Sequence, residues 1–135
     1  PFLWNARSVV NKRQQLFSFI FSSDYHIVAI TETWCCGDMK DREFLPNRYS
    51  VFRKDRDSRG GGVFTVLLAF SDSLATRQLN SPDTLKLLAV EVHAPKPIIV
   101  CLVYVPPPPS TSYLSLLFDY LASITVNRDL NCPSR

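Results

Sequence analysis

Four consecutive prolines at 106–109 constrain the fold of this chain more than any other stretch. They follow the run PIIVCLVYV, apolar almost throughout, and they precede STSYLSLLFDYLASI. Proline lacks a backbone N–H and cannot extend a central strand, so Tyr104 must stand at the rim of whatever strand precedes it. The near-continuous apolar run predicts a central strand. After the prolines, Tyr113, Leu117, Tyr120, Leu121 and Ile124 recur on one helical side, with Ser110 or Ser112 as the N-cap. The ITV run before Asn127 predicts the start of one more strand. Four prolines also suit a ligand for an SH3 or WW module, but their place directly between strand and helix predicts a rigid connection.

The rest of the chain reads as alternating strands and turns with one further helix. PFLW is a short apolar opening that stops at Asn5, as a strand end does. From Val9 to Phe21 the apolar residues Val9, Val10, Leu16, Phe17, Ile20 and Phe21 fall at helical spacing, and Ser8 is suited to cap that helix. HIVAIT is rich in β-branched residues, predicts a buried strand and delivers Glu32 at its C-terminal end. CCGDMKDREFLPN has no period and predicts a loop. RYSVFRK and GVFTVLLAF predict a hairpin, and TLKLLAVEVHA and PIIVCLVYV predict two more strands joined by the turn PKP. The order is consistent with an α/β (α+β) fold.

Composition narrows the function classes. With 135 residues, 46% of them hydrophobic, residues 1–135 suit one domain or part of one. The chain opens on Pro1 and its one Met is Met39, so a fragment of a longer protein is expected. No apolar run reaches the ~20 residues that span a bilayer, which predicts no membrane partner. Cys35, Cys36, Cys101 and Cys132 show no C-x-x-C spacing, predicting reduced thiols in a nuclear or cytoplasmic setting rather than a zinc site or a disulfide framework. The net charge of +3 is only mildly basic. FRKDRDSRGGG, however, concentrates Arg53, Lys54, Arg56 and Arg59; such a segment is either a phosphate-contacting stretch or a solvated loop of mixed charge. Gly60, Gly61 and Gly62 lack the helix and the Lys-Ser/Thr ending of a P-loop and predict a turn.

Chemistry gathers at strand ends. Asn5, Glu32, Tyr104, Asp129 and Asn131 all fall at or just beyond the C-terminal end of an apolar run, where residues distant in sequence can converge on one sheet edge. Two carboxylates, two amides and a phenol suit a hard divalent cation and a phosphate. Taken singly, each of the five reads more simply as a strand terminus.

Together, NARSVVNK, IVAITETW, SVFRKDRDSRGGGV, VYVPP and RDLNCP resemble, in order and rough spacing, the endonuclease/exonuclease/phosphatase superfamily. The wording is most similar to the endonuclease domain that precedes reverse transcriptase in LINE-type, non-LTR retrotransposons. The resemblance covers nearly the whole chain and implies part of a four-layer α/β/β/α sandwich, an incomplete domain whose C-terminal half is missing. It implies magnesium, or manganese in its place, as the cofactor. The implied partners are DNA and a reverse transcriptase domain in the same parent polypeptide. It implies that Glu32 binds the metal and that Asn5 supports the metal and phosphate site. Tyr104 would donate a hydrogen bond to the scissile phosphate, Asp129 would orient or deprotonate the attacking water, and Asn131 would help place the phosphate.

The chain departs from the family pattern in two respects. Arg128 and Leu130 stand where the family's Gly-Asp-Phe-Asn motif has glycine and phenylalanine. The family's later acidic residue and C-terminal Asp-His pair have no counterpart, and His26 and His93 lie in the wrong motifs to replace them. Weak or absent turnover is therefore expected of this chain. The alternatives are a non-catalytic nucleic-acid-binding remnant or decayed relic, and a phosphoesterase of the same superfamily acting on a small substrate.

Overall fold

The computed structural model describes residues 1–35, 39–55, 66–105 and 107–130, with positions 94 and 127–130 described in their backbone alone. Among these residues the fold is mixed α+β, with two sheets and two α-helices. The strands are β1 (Phe2–Asn5), β2 (Ile27–Thr31), β3 (Tyr49–Lys54), β4 (Val66–Ser71), β5 (Ala75–Leu79), β6 (Leu87–Ala94) and β7 (Lys96–Val103). The helices are α1 (Arg13–Phe21), entered through a 3₁₀ turn at Val10–Lys12, and α2 (Thr111–Leu130).

The first sheet has the order β1-β2-β4-β3 and the second β5-β6-β7. β1 and β2 run parallel, with Asn5 opposite Thr31, and α1 makes the crossover between them. β2 and β3 both pair antiparallel with β4, so the expected β3–β4 hairpin is present. β6 and β7 form the second expected hairpin around Pro95, in register from Leu87↔Val103 to Ala94↔Lys96.

Period-two alternation builds the core. Leu67 and Ala69 of β4 join Val28, Ile30, Leu16 and Ile20 on the α1 side of the first sheet. The intervening Val66, Leu68 and Phe70 meet Leu88, Val90 and Val92 of β6 between the sheets. Leu87 and Ala89 of β6 point the other way, onto Leu117 and Tyr120 of α2. β4 and β6 are thus buried on both faces, which their near-continuous apolar sequence demands.

The structure differs from the sequence expectations in several places. β7 is an edge strand among the described residues, and β6 is central in its place. The apolar residues of β7 serve both faces, Val100 and Leu102 toward the space between the sheets and Ile99, Cys101 and Val103 toward α2, so the run is apolar although one edge is unpaired, and Ile98 is still 47% exposed. The ITV run belongs to α2 and not to a new strand. Continuing the helix keeps Ile124 on the same stripe as Tyr113, Leu117 and Leu121, and no strand among the described residues pairs with it. β5 was not expected at all. Lastly, Phe21 points outward, 65% exposed, with its ring stacked on Phe17.

Ser110 Oγ accepts from the Tyr113 N–H at 3.1 Å, the N-cap bond expected at the start of α2. Ser8, expected to cap the first helix, does not: the N-cap of the 3₁₀ turn is Val9 and that of α1 is Lys12, while Ser8 Oγ accepts from the Val10 N–H at 3.3 Å just ahead of the turn. Among the described residues, no helix is long and apolar enough to cross a membrane.

Candidate functional site

The parallel pair β1–β2 ends in two loops that are stitched to each other. Ala6 N–H donates to Thr31 O at 3.0 Å, Ser8 N–H to Glu32 O at 2.7 Å and Val9 N–H to Thr33 O at 2.9 Å. The stitching holds four non-glycine residues in the left-handed region: Arg7 (φ 47°), Ser8 (φ 92°), Glu32 (φ 54°) and Trp34 (φ 57°). Each costs about 1–2 kcal/mol for an L-residue, and such strain concentrates where geometry serves a purpose beyond stability. No other positive-φ residue occurs among those described.

The strain brings side chains together. Asn5 Nδ2 donates to Glu32 Oε1 at 3.1 Å, joining the ends of β1 and β2. From the other sheet, Tyr104, one residue beyond β7, brings its phenol toward the same carboxylate. Burial and then the nearby Glu32 carboxylate push the Tyr104 phenol above its ordinary pKa. The phenol is therefore protonated across the physiological range and available as a donor. Three of the five strand-end residues, drawn from two sheets, form one contiguous group.

The oxygens present suit a hard cation. The Glu32 carboxylate and the Asn5 amide oxygen, which accepts no hydrogen bond among the described residues, match the protein's usual share of a magnesium shell, completed by water and phosphate oxygens. No group of three or more His, Cys, Asp or Glu that could hold a metal gathers among the described residues.

The remaining expected residues are placed differently. Asp129 is on the last turn of α2 rather than at a strand end, with its side chain outside the described residues. Asn131, Arg56 and Arg59 also lie outside them.

Arg53 is committed inward. Its guanidinium donates to Met39 O at 2.7 Å and Asp41 Oδ1 at 2.9 Å, pairs with Asp55 and lies 5.7 Å from the Phe44 ring centroid. Burial works against the Arg53 charge, but Asp55 and Asp41 outweigh it and hold its pKa above the ordinary value. Lys54 reaches across to the second sheet and donates to Leu85 O at 2.7 Å and Pro82 O at 3.1 Å. Burial, partly offset by Asp83, pulls its pKa below the ordinary value. A groove of about 570 Å³ beside Arg53, lined by Met39, Lys40, Asp41, Arg42 and Val51, includes none of Asn5, Glu32 or Tyr104.

Sequence reasoning missed the left-handed residues, because neither Gly nor Asn marks positions 7, 8, 32 and 34. It also missed Tyr113, which reads as an ordinary core position of α2. A comparison of the chain with protein-family models and with curated proteins finds no match in either.

Proposed function

We propose that this chain is the N-terminal portion of an endonuclease domain of the endonuclease/exonuclease/phosphatase type, acting on DNA phosphodiesters with magnesium or manganese. Its parent would carry a reverse transcriptase domain. The observation that carries this reading is the convergence of Asn5, Glu32 and Tyr104, from three strand ends on two sheets, into one group in which Asn5 hydrogen-bonds Glu32 and the Tyr104 phenol lies beside the carboxylate. The three apolar clusters between α1, the two sheets and α2 support the finer architecture, four layers in the order α/β/β/α.

In this reading Glu32 and the Asn5 oxygen hold the metal, which when bound polarises the phosphoryl group and stabilises the leaving oxygen. The Asn5 amide N–H fixes the Glu32 carboxylate. Tyr104, kept protonated beside Glu32, donates a hydrogen bond to a non-bridging phosphate oxygen. Asp129 would position the attacking water and Asn131 the phosphate, which requires the chain to leave α2 before Asp129, since the helix carries that residue about 24 Å along its axis from Tyr113. Arg56 and Arg59 follow the DNA backbone, whereas Arg53 and Lys54 hold the segment in place through their internal bonds.

Nicking of supercoiled plasmid with magnesium tests the proposal, comparing the chain with a version extended by the sequence that follows it in its parent. The extended form is expected to nick, and Glu32→Ala to reduce nicking by about 100-fold. An extended protein that folds and leaves plasmid intact refutes the reading.

One observation favours a second reading, a nucleic-acid-binding remnant without catalysis: α2 carries Asp129 in a helix and not at a strand end. Salt-sensitive DNA binding by the extended form without cleavage selects this alternative. Hydrolysis of a small phosphate ester in preference to plasmid selects a phosphoesterase.

A further inference from the structure

We infer that Tyr113, on the first turn of α2, is a positioning residue for the Tyr104–Glu32 pair, its hydroxyl acting as a wedge in the end of the β6–β7 ladder. The role matters to chemistry only if the proposed function holds, but the geometry stands without it.

The β6–β7 register runs from Ala94↔Lys96 to Leu87↔Val103, so the next pair in line is Lys86 and Tyr104. Half of that pair is made, since the Tyr104 N–H donates to Lys86 O at 2.9 Å. In an antiparallel ladder the return bond runs from the Lys86 N–H to Tyr104 O. Here the Tyr113 hydroxyl occupies its place. The Lys86 N–H donates to Tyr113 Oη at 3.1 Å, and Tyr113 Oη donates to Tyr104 O at 2.9 Å. A hydroxyl is donor and acceptor at once, so both backbone groups stay satisfied while the strands are held apart by one oxygen.

The consequence falls on Tyr104. Opening the last rung releases it from the second sheet's ladder on one side only, and its ring packs between the sheets while its phenol meets Glu32 at the end of β2. Phenylalanine at 113 has no oxygen to insert. The direct Lys86–Tyr104 bond can then close, drawing the Tyr104 backbone toward β6 and its phenol off Glu32. Tyr120 supplies a matched control. It lies on the same helix, belongs to the same apolar cluster, and its hydroxyl donates to a backbone carbonyl, Asn80 O, at 2.8 Å, away from the site.

The test is an NMR cycle on the protein labelled with ¹³Cζ-tyrosine, with the Tyr104 resonance assigned by Tyr104→Phe. In the parent sequence, Glu32→Gln shifts the Tyr104 resonance because the phenol loses the charge of the carboxylate beside it. In the Tyr113→Phe background the same Glu32→Gln change is expected to leave it unmoved, whereas in the Tyr120→Phe background the shift is expected in full. A Tyr113→Phe protein that retains the whole Glu32→Gln shift overturns the inference, and so does a Tyr120→Phe protein that loses it equally. If Tyr113→Phe does not fold, Tyr113→Trp is run in its place: it is expected to abolish the shift, and retention of the shift overturns the inference. Failure of plasmid nicking leaves this cycle's outcome unaffected, so the two readings fall separately.

Discussion

At the scale of the residue, the site spends stability on conformation. Glu32 and Arg7 hold left-handed backbone angles without the freedom of glycine, and Arg7 is exposed, with no hydrogen bond or ion pair among the described residues to offset its strain. Arg7→Gly is therefore expected to stabilise the fold by about 1 kcal/mol, the relief of left-handed strain less the added freedom of the unfolded chain. Urea unfolding midpoints at an unchanged m-value measure it. Glu32→Gly is the sharper case: stability equal to or above the parent's, with nicking by the extended protein lost. A parent more stable than both variants contradicts the strain assignment. The strand-end residues Asn5, Glu32 and Tyr104 were legible in the sequence because polar side chains directly after apolar runs are visible without a structure. The backbone that aims them was not, since inter-loop hydrogen bonds such as Ser8 N–H to Glu32 O leave no trace in either loop's own sequence.

At the scale of the element, what could be read depended on where each element spends its apolar residues. β2, β4 and β6 are covered on both faces, so continuous apolar runs identified them. β5, ATRQL, lies at a sheet edge, buries no residue fully and carries no comparable signal. β7 misled in the opposite sense, because apolar content reports burial demand and not neighbour number. α2 ran through ITV because the local β-propensity of three residues is weak beside the stripe that Ile124 completes. Two elements depend on single side chains. Lys54 ties the end of β3 to the carbonyls of Pro82 and Leu85 ahead of β6, and Lys54→Met is expected to cost about 2 kcal/mol by stranding those acceptors, as seen in chemical denaturation. Glu43 closes the 3₁₀ turn at Asp41–Glu43 by accepting the Lys40 N–H at 3.2 Å, and it pairs with Arg13. The Lys40 hydrogen bond and then Arg13 lower its pKa below the usual 4.5. Its stabilising contribution is thus fully present above pH 4.5 and is lost as pH falls through the lowered folded-state value. Thermal melts across that acid range should fall less steeply for Glu43→Gln than for the parent.

At the scale of the whole molecule, the two sheets share one interior. Phe70 is fully buried between them, edge-on to Phe52 at 6.1 Å and in one cluster with Leu88 and Val90. Phe70→Ala is expected to destabilise by about 3–5 kcal/mol and to do so for both sheets in a single transition. Coincident unfolding curves from Trp4 fluorescence in the first sheet and from the Tyr104 resonance at the end of the second check this, and two separated transitions contradict it. The position of Tyr104 also bears on how the protein is made. Synthesis proceeds from the N-terminus, and early segments can organise before later ones emerge. The strands of the first sheet, with Asn5 and Glu32 already in hand, precede β7 in the chain, and Tyr113, which opens the last rung, follows it. Because the two sheets share one interior, the stitched loops gain their support only when β7 and α2 have been made. The acidic group and the phenol are therefore completed together, at the end of synthesis of this chain rather than in two stages.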